Sequence, residues 1–326
     1  MPSGATGSAA PDFLPPRRKS VPDSSVASPS TVTRLLQAPA ALLLMVGTLL
    51  GLNFPLGKLS GAAGVPPLVW SALISAGGAV VLGTVLAVKR QRLPLDARHL
   101  RYFAVVAFVS YALPNALVFT AIPHLGSAYA AILFTLSPMF TVVFSLAARL
   151  RSPKPLELAG IAIGFVGTLL VASARGEMGH SVDWLWVGLG VLVPLSLALG
   201  NVYRTLDLPK GTPSLVLAVG SNAVAAILLI ACAALTGTLG GVAVLPTVPG
   251  LALLQVAASA GMFALFFQLQ LVGGPVTLSQ IGTVGAAVGV IAGTAGLGER
   301  YAAIVWIGIA VIAVGISLTV RARLRG

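Results

Sequence analysis

The strongest constraint on this chain is a series of ten apolar runs. They lie near residues 36–57, 67–88, 102–122, 126–148, 158–174, 185–203, 214–235, 250–271, 276–297 and 301–320, and none contains Asp, Glu, Lys, Arg or His. A hydrocarbon core about 30 Å thick is crossed by roughly 20 residues of helix, and about 17 still suffice. Backbone groups in lipid must be satisfied within their own segment, so such runs form helices. The pattern predicts an all-α polytopic membrane protein with ten transmembrane helices. Composition agrees: only 9% of the 326 residues are charged and mean hydropathy is +0.98, whereas a soluble fold carries about a quarter charged residues.

The net charge of +12 would point to nucleic acid if the basic residues shared one polar face. They fall instead in short clusters between apolar runs. With the N-terminus in the cytoplasm and ten crossings, 17 of the 20 Lys and Arg residues face the cytoplasm, leaving Lys58, Arg175 and Arg300 on the other side. That positive-inside bias predicts a multi-pass protein of a bacterial inner membrane with both termini cytoplasmic. Residues 1–34, rich in Pro, Ser and Ala, are expected to be a disordered tail.

Several chemistries lack their residues. The single cysteine, Cys232, allows no disulfide framework, and His99, His124 and His180 are far apart in sequence. There is no phosphate-cradling Gly-Lys-Ser/Thr loop, and no carboxylate lies inside an apolar run. The chain is therefore expected to be neither an enzyme nor a holder of metal or cofactor. Its expected partners are a small-molecule substrate and the lipid bilayer, with no nucleic acid, in a monomer or homodimer.

Sliding the sequence on itself by 148 residues places Asn53 on Asn201, Phe119 on Phe267, Gly126 on Gly274, Gly160 on Gly308 and Gly167 on Gly315. One offset serves several runs. It divides the chain into a first five-helix repeat (35–174), an extracytoplasmic linker (175–184), a second repeat (185–320) and a basic cytoplasmic tail (321–326). Five is odd, so the second unit enters the membrane from the opposite face. Such a 5+5 inverted repeat recurs among secondary transporters whose substrate sites lie near the midplane.

Polar side chains inside lipid spans are costly and face other helices or a wet cavity. Tyr111 and Asn115 share a helix face, as do Gln255, Ser259 and Phe263. Thr277, Gln280 and Thr283 form a further stripe, with Tyr129 and Thr135 among its counterparts under the offset. Asn53 and Asn201 are equivalent in the two halves. The candidate cavity set is Asn53, Tyr111, Asn115, Tyr129, Asn201, Gln255, Ser259, Phe263, Gln280 and Thr283. For each, hydrogen bonding between helices remains the alternative. Pro55, Pro114, Pro138 and Pro194 lie within runs and are expected to bend them. Lys58 and Arg204 sit near run ends, where snorkelling to the headgroups is the expected role and gating the alternative. No basic group is expected at midplane, which speaks against an organophosphate exchanger.

Three stretches resemble a known family. Gly51-Leu52-Asn53-Phe54-Pro55-Leu56-Gly57-Lys58 resembles the first-helix motif of the EamA-type drug/metabolite transporter superfamily. Leu136-Ser137-Pro138-Met139-Phe140 resembles its fourth helix, and Leu297-Gly298-Glu299-Arg300 followed by Gly308 and Gly315 resembles its Gly-Glu-Arg turn and last helix. The second helix departs from the pattern, reading Ser71-Ala72-Leu73-Ile74-Ser75 where the family often has an arginine. The resemblance covers roughly residues 36–320. It implies a central cavity lined by helices 1, 3, 4, 6, 8 and 9, and export or uptake of amino acids and other metabolites. The resulting expectation is alternating-access transport of a small polar metabolite, neutral or zwitterionic, with efflux as the direction. A non-transporting membrane assembly subunit, or an exchanger of another metabolite class, stays open.

Overall fold

The computed structural model describes residues 38–150, 154–173, 184–298 and 302–324. The tail expected over 1–34, nearly all of the linker over 175–184, and Arg175, Glu299 and Arg300 lie outside them. Taken across short π and 3-10 turns, the described residues form α1 (Pro39–Ala62), α2 (Pro67–Val88), α3 (Ala97–Leu125), α4 (Ser127–Ala147), α5 (Pro155–Ser173), α6 (Trp184–Leu206), α7 (Ser214–Leu235), α8 (Pro249–Ser279), α9 (Ile281–Leu297) and α10 (Ala303–Leu324). Among the described residues, α1, α2, α3, α4, α6, α7 and α8 are the seven helices long and apolar enough to cross a membrane. Shorter apolar helical stretches lie in α5, α9 and α10.

Local chemistry sets the ends. α1, α2, α5 and α8 each begin on a proline, whose missing N–H is one the first helical turn would leave unpaired. α3 starts five residues before the apolar run because Asp96 caps it, accepting from the backbone N–H of Arg98 (3.1 Å) and His99 (3.3 Å). Gly126, between α3 and α4, and Gly274, within α8, both take positive φ (83° and 67°). Only glycine enters that region without a Cβ penalty, so the helix breaks at both sites.

The helices pack as a bundle in which α1 lies against α8 and α9, α3 and α4 against α6, α2 against α7, and α5 against α10. Trp70, Tyr102, Phe103, Phe263 and Phe267 are fully buried in its main core. Outer faces are apolar instead: Val80 is 68% exposed, Ile227 66% and Leu253 71%. Large exposed apolar surface of this kind suits a lipid surround.

The α5–α10 contact is close backbone packing. A Cβ at Gly315 would stand 2.5 Å from the Gly160 carbonyl oxygen, and one at Gly167 would stand 2.7 Å from that of Gly308. Small residues let helices approach this closely, and in lipid that packing is a main source of association energy.

Candidate functional site

Near the middle of the bundle, seven helices enclose a cavity with about 860 Å³ of empty volume, counting its open side. Its walls come from α1 (Val46, Leu50, Asn53, Phe54), α2 (Ile74), α3 (Ser110 to Phe119), α4 (Phe134, Ser137), α6 (Leu197, Asn201, Arg204), α8 (Met262, Phe263, Phe266, Leu278, Ser279) and α9 (Ile281, Gly282).

The α3 wall is irregular for a sequence reason. Pro114 has no N–H to give the carbonyl four residues back, and the chain immediately before it, Phe108–Ala112, is a π turn. π turns recur at functional sites because they re-aim side chains. Here the turn carries Ser110 and Tyr111, both lining the cavity. Ser196 of α6 secures it by donating to the Val109 carbonyl (2.6 Å). The Tyr111 ring meets Phe263 edge-on at 5.0 Å, and Phe54 meets Phe134 likewise at 5.1 Å. These aromatic pairs give the cavity rigid walls.

Asn53 is held from behind. Its Nδ2 donates to the Leu49 carbonyl (2.6 Å), and its Oδ1 accepts from Gln255 Nε2. Gln255 also donates to Ser259 Oγ (2.7 Å), which lies 3.5 Å from Asn53 Oδ1. Gln255 and Ser259 are fully buried. They stand one layer outside the cavity and fix the amide that faces it.

Arg204 requires a correction. Read from the sequence as snorkelling, it is 1% exposed and lines the cavity. Its Nη2 donates to Asn201 Oδ1 (2.7 Å), and its guanidinium lies over the Phe266 ring at 4.6 Å. Taking a cation out of water costs several kcal/mol unless it is paired. An amide oxygen and a ring face offset part of that, leaving Nε and Nη1 without hydrogen-bond partners among the described residues.

The other candidates divide. Asn53, Tyr111, Asn115, Asn201 and Phe263 line the cavity, as does Pro114. Gln280 and Thr283 are buried but absent from its walls. The helical stripe that joined them does not run straight, because α8 ends at Ser279 and α9 starts only after Gln280, and Ser279 and Gly282 line the cavity instead. The Tyr129 side chain lies outside the described residues. Pro55 and Pro194 sit inside α1 and α6, and Pro138 follows the 3-10 turn Phe134–Leu136 that interrupts α4. Lys58 is half-buried, away from the cavity lining. Sequence reasoning missed Ser110, Ser137 and Ser279 as lining residues, while Phe266 lies on the α8 face it had turned inward with Phe263. It also had the signal for Arg204 in hand, since Leu197, Asn201 and Arg204 follow i, i+4, i+7 spacing along one face of α6.

A second set of ties joins the same helices beside the cavity. Gln270 of α8 donates to the Tyr102 hydroxyl (3.0 Å), and the Tyr102 ring stacks on Tyr203 at 6.1 Å. Tyr203 donates to Asp207 Oδ2 (2.6 Å), and Arg101 donates to both Asp207 oxygens (2.9 and 3.0 Å). The Tyr203 hydroxyl, aided by the Arg101 guanidinium, holds the Asp207 carboxyl below the usual carboxylate range.

The fold and site define a polytopic helical membrane protein with an internal, partly polar cavity open on one side. Residues 38–173 match the model of the EamA-like transporter family. Family and apolar helices together support a membrane transporter of this type. No curated protein matches the chain in sequence. Twenty-eight chains among solved structures match in fold. One, described as the crystal structure of a protein, covers 85% of this chain and 98% of its own with TM-score 0.64 and 17% identity, a likeness of fold alone.

Proposed function

We propose that the chain carries small polar metabolites, amino acids or similar compounds, across a bacterial inner membrane by alternating access. In this reading ten helices form two five-helix units threaded through the bilayer in opposite senses, both termini are cytoplasmic, and export is the direction. The observation that carries it is the convergence of Asn53, Tyr111, Asn115, Asn201 and Arg204 on one cavity in an otherwise apolar bundle. Polar groups placed this way in lipid mark a substrate path.

The inverted repeat has support beyond sequence. Under the 148-residue offset the pair Gly160–Gly315 becomes Gly308–Gly167, and both are backbone contacts between α5 and α10. That is the reciprocity of a two-fold axis. The positive-φ glycines 126 and 274 obey the same offset. Alternating access draws on the broken helices α3, α4 and α8, which offer places to bend.

The test is counterflow in proteoliposomes containing the full chain, with a labelled panel of amino acids, hydroxy acids, phosphate esters and polyols. Saturable uptake of one class, accelerated by the same compound inside, is expected. Uptake of none, or linear uptake indifferent to internal compound, refutes a carrier.

A further inference from the structure

We infer that the cavity takes its ligand as an organic anion, with the oxyanion bound by the free edges of Arg204. The inference rests on reading this cavity as the substrate site and narrows that reading from polar metabolites in general to net-negative ones.

Four observations converge. Arg204 is almost wholly buried, yet it is part of the cavity wall. Asn201 uses one N–H of Nη2 and Phe266 covers one face, so Nε and Nη1 remain without partners among the described residues. A guanidinium presents donors in a rigid planar fork that matches carboxylate and phosphate oxygens.

Among the described residues, no Asp or Glu lines the cavity. The acid nearest in sequence, Asp207, has both oxygens occupied by Arg101 and one also by Tyr203. Among the described residues, the lining therefore carries positive charge with no counter-charge in it. A buried charge left this way is stabilised by a mobile anion and not by a neutral ligand.

Tyr111 and Ser110 belong to the same lining, and their hydroxyls are buried and without hydrogen-bond partners among the described residues. They supply neutral donors for the same oxyanion or for a hydroxyl beside it. Finally, the cavity offers an ammonium group no carboxylate to meet. A zwitterionic amino acid would satisfy Arg204 and leave its own cation unmatched, so the arrangement favours an anion over a zwitterion of the same size. This departs from the neutral or zwitterionic ligand expected from the sequence, because that expectation held Arg204 at the headgroups.

Carboxylates and phosphate esters share this chemistry, and the probes separate them. The full chain in proteoliposomes is offered labelled lactate, glycerol 3-phosphate, serine and glycerol, and the purified chain is melted with each. Wild type is expected to move and be stabilised by lactate, glycerol 3-phosphate or both in clear preference to serine and glycerol. Arg204→Gln is expected to lower apparent affinity for the favoured anion about 10- to 100-fold, the range for losing a hydrogen bond to a charged group. Glycerol should be affected little by that change.

Arg204→Lys keeps the charge without the planar fork and is expected to retain the anion preference at reduced affinity. This separates a ligand contact from a merely structural arginine, whose loss would lower every probe alike. Preferential movement of serine or glycerol, or anion affinity unchanged in Arg204→Gln, overturns the inference and leaves the carrier standing. Stabilisation by anions without movement supports the inference and refutes the carrier. Neither movement nor stabilisation by any probe overturns both.

Discussion

A methyl group added at Gly315 tests the helix contact on which the two-fold arrangement depends. An alanine Cβ there would lie 2.5 Å from the Gly160 carbonyl oxygen, 2.6 Å from the Gly164 nitrogen and 2.9 Å from the Gly164 Cα. All three are backbone atoms, which cannot swing aside as a side-chain end can. Carbon contacts prefer about 3.5–4.0 Å, so α5 and α10 must part by about 1 Å locally, and a gap of that size forfeits a quarter to a half of each dispersion contact. Overpacking of this kind costs about 1–3 kcal/mol, while alanine's better helix propensity returns up to about 1 kcal/mol. The net expectation is a loss of about 1–2 kcal/mol, or several degrees of melting temperature at the sensitivity usual for chains of this size.

The comparison variants make the argument specific. Gly167→Ala meets the Gly308 carbonyl oxygen at 2.7 Å and the Ile312 nitrogen at 2.8 Å, so it should fall by a similar amount. Gly188→Ala, where a Cβ meets nothing within 4 Å, should leave melting unchanged or raise it. Thermal unfolding of each variant in lipid nanodiscs provides the measurement. If Gly315→Ala melts like Gly188→Ala, the close approach of α5 and α10 is wrong. If Gly315→Ala and Gly167→Ala differ by several kcal/mol, the two contacts are not equivalent and the two-fold relation fails.

Other perturbations address the cavity and its surroundings. Gln255→Leu removes the amide that donates to Asn53 and Ser259; it should cost about 1–3 kcal/mol by leaving a buried acceptor poorly paired and weaken transport, as melting and flux assays would show. Asp207 has a depressed pKa in the folded protein, so its stabilising tie to Tyr203 and Arg101 is fully present above the ordinary carboxylate range and is lost as pH falls through the lower folded value. Melting temperature should therefore hold steady from pH 7 to about pH 5 and drop below about pH 4, with Asp207→Asn reducing that drop; an equal drop in the variant would show that other carboxylates carry it.

Fold and site were legible to different degrees, and the reasons are physical. The runs predicted at 67–88 and 214–235 coincide with α2 and α7 because polar or proline-bearing turns bound both. Lipid solvation writes itself into every residue of a span, so its signal is long and redundant. Side-chain direction is written in single residues. Asn53, Asn115 and Asn201, which line the cavity, stand out in the sequence as amides within apolar runs. Gln280 and Thr283 lie off the cavity walls because their stripe assumes an unbroken helix through Gln280, where one helix ends and the next begins. Gln255 and Ser259 lie on the anticipated face, one layer back, since sequence gives direction around a helix and not distance to the next one. Arg204 was misjudged because a cation near a span end usually reaches the headgroups, and only packing against Phe266 of α8 shows it turned inward.

Reactivity of a cysteine at position 115 tests the central claim most directly. In a Cys232→Ser background, Asn115→Cys, Gln280→Cys and Ile227→Cys are each exposed in proteoliposomes to a small water-soluble thiol reagent. Asn115 lines the cavity, Gln280 is buried outside its walls, and Ile227 is 66% exposed on the apolar exterior of α7. Thiols react as thiolates, which form only where water reaches. A polar cavity predicts that position 115 alone labels readily. Labelling at 227 with silence at 115 would place the polar face outward and contradict the account.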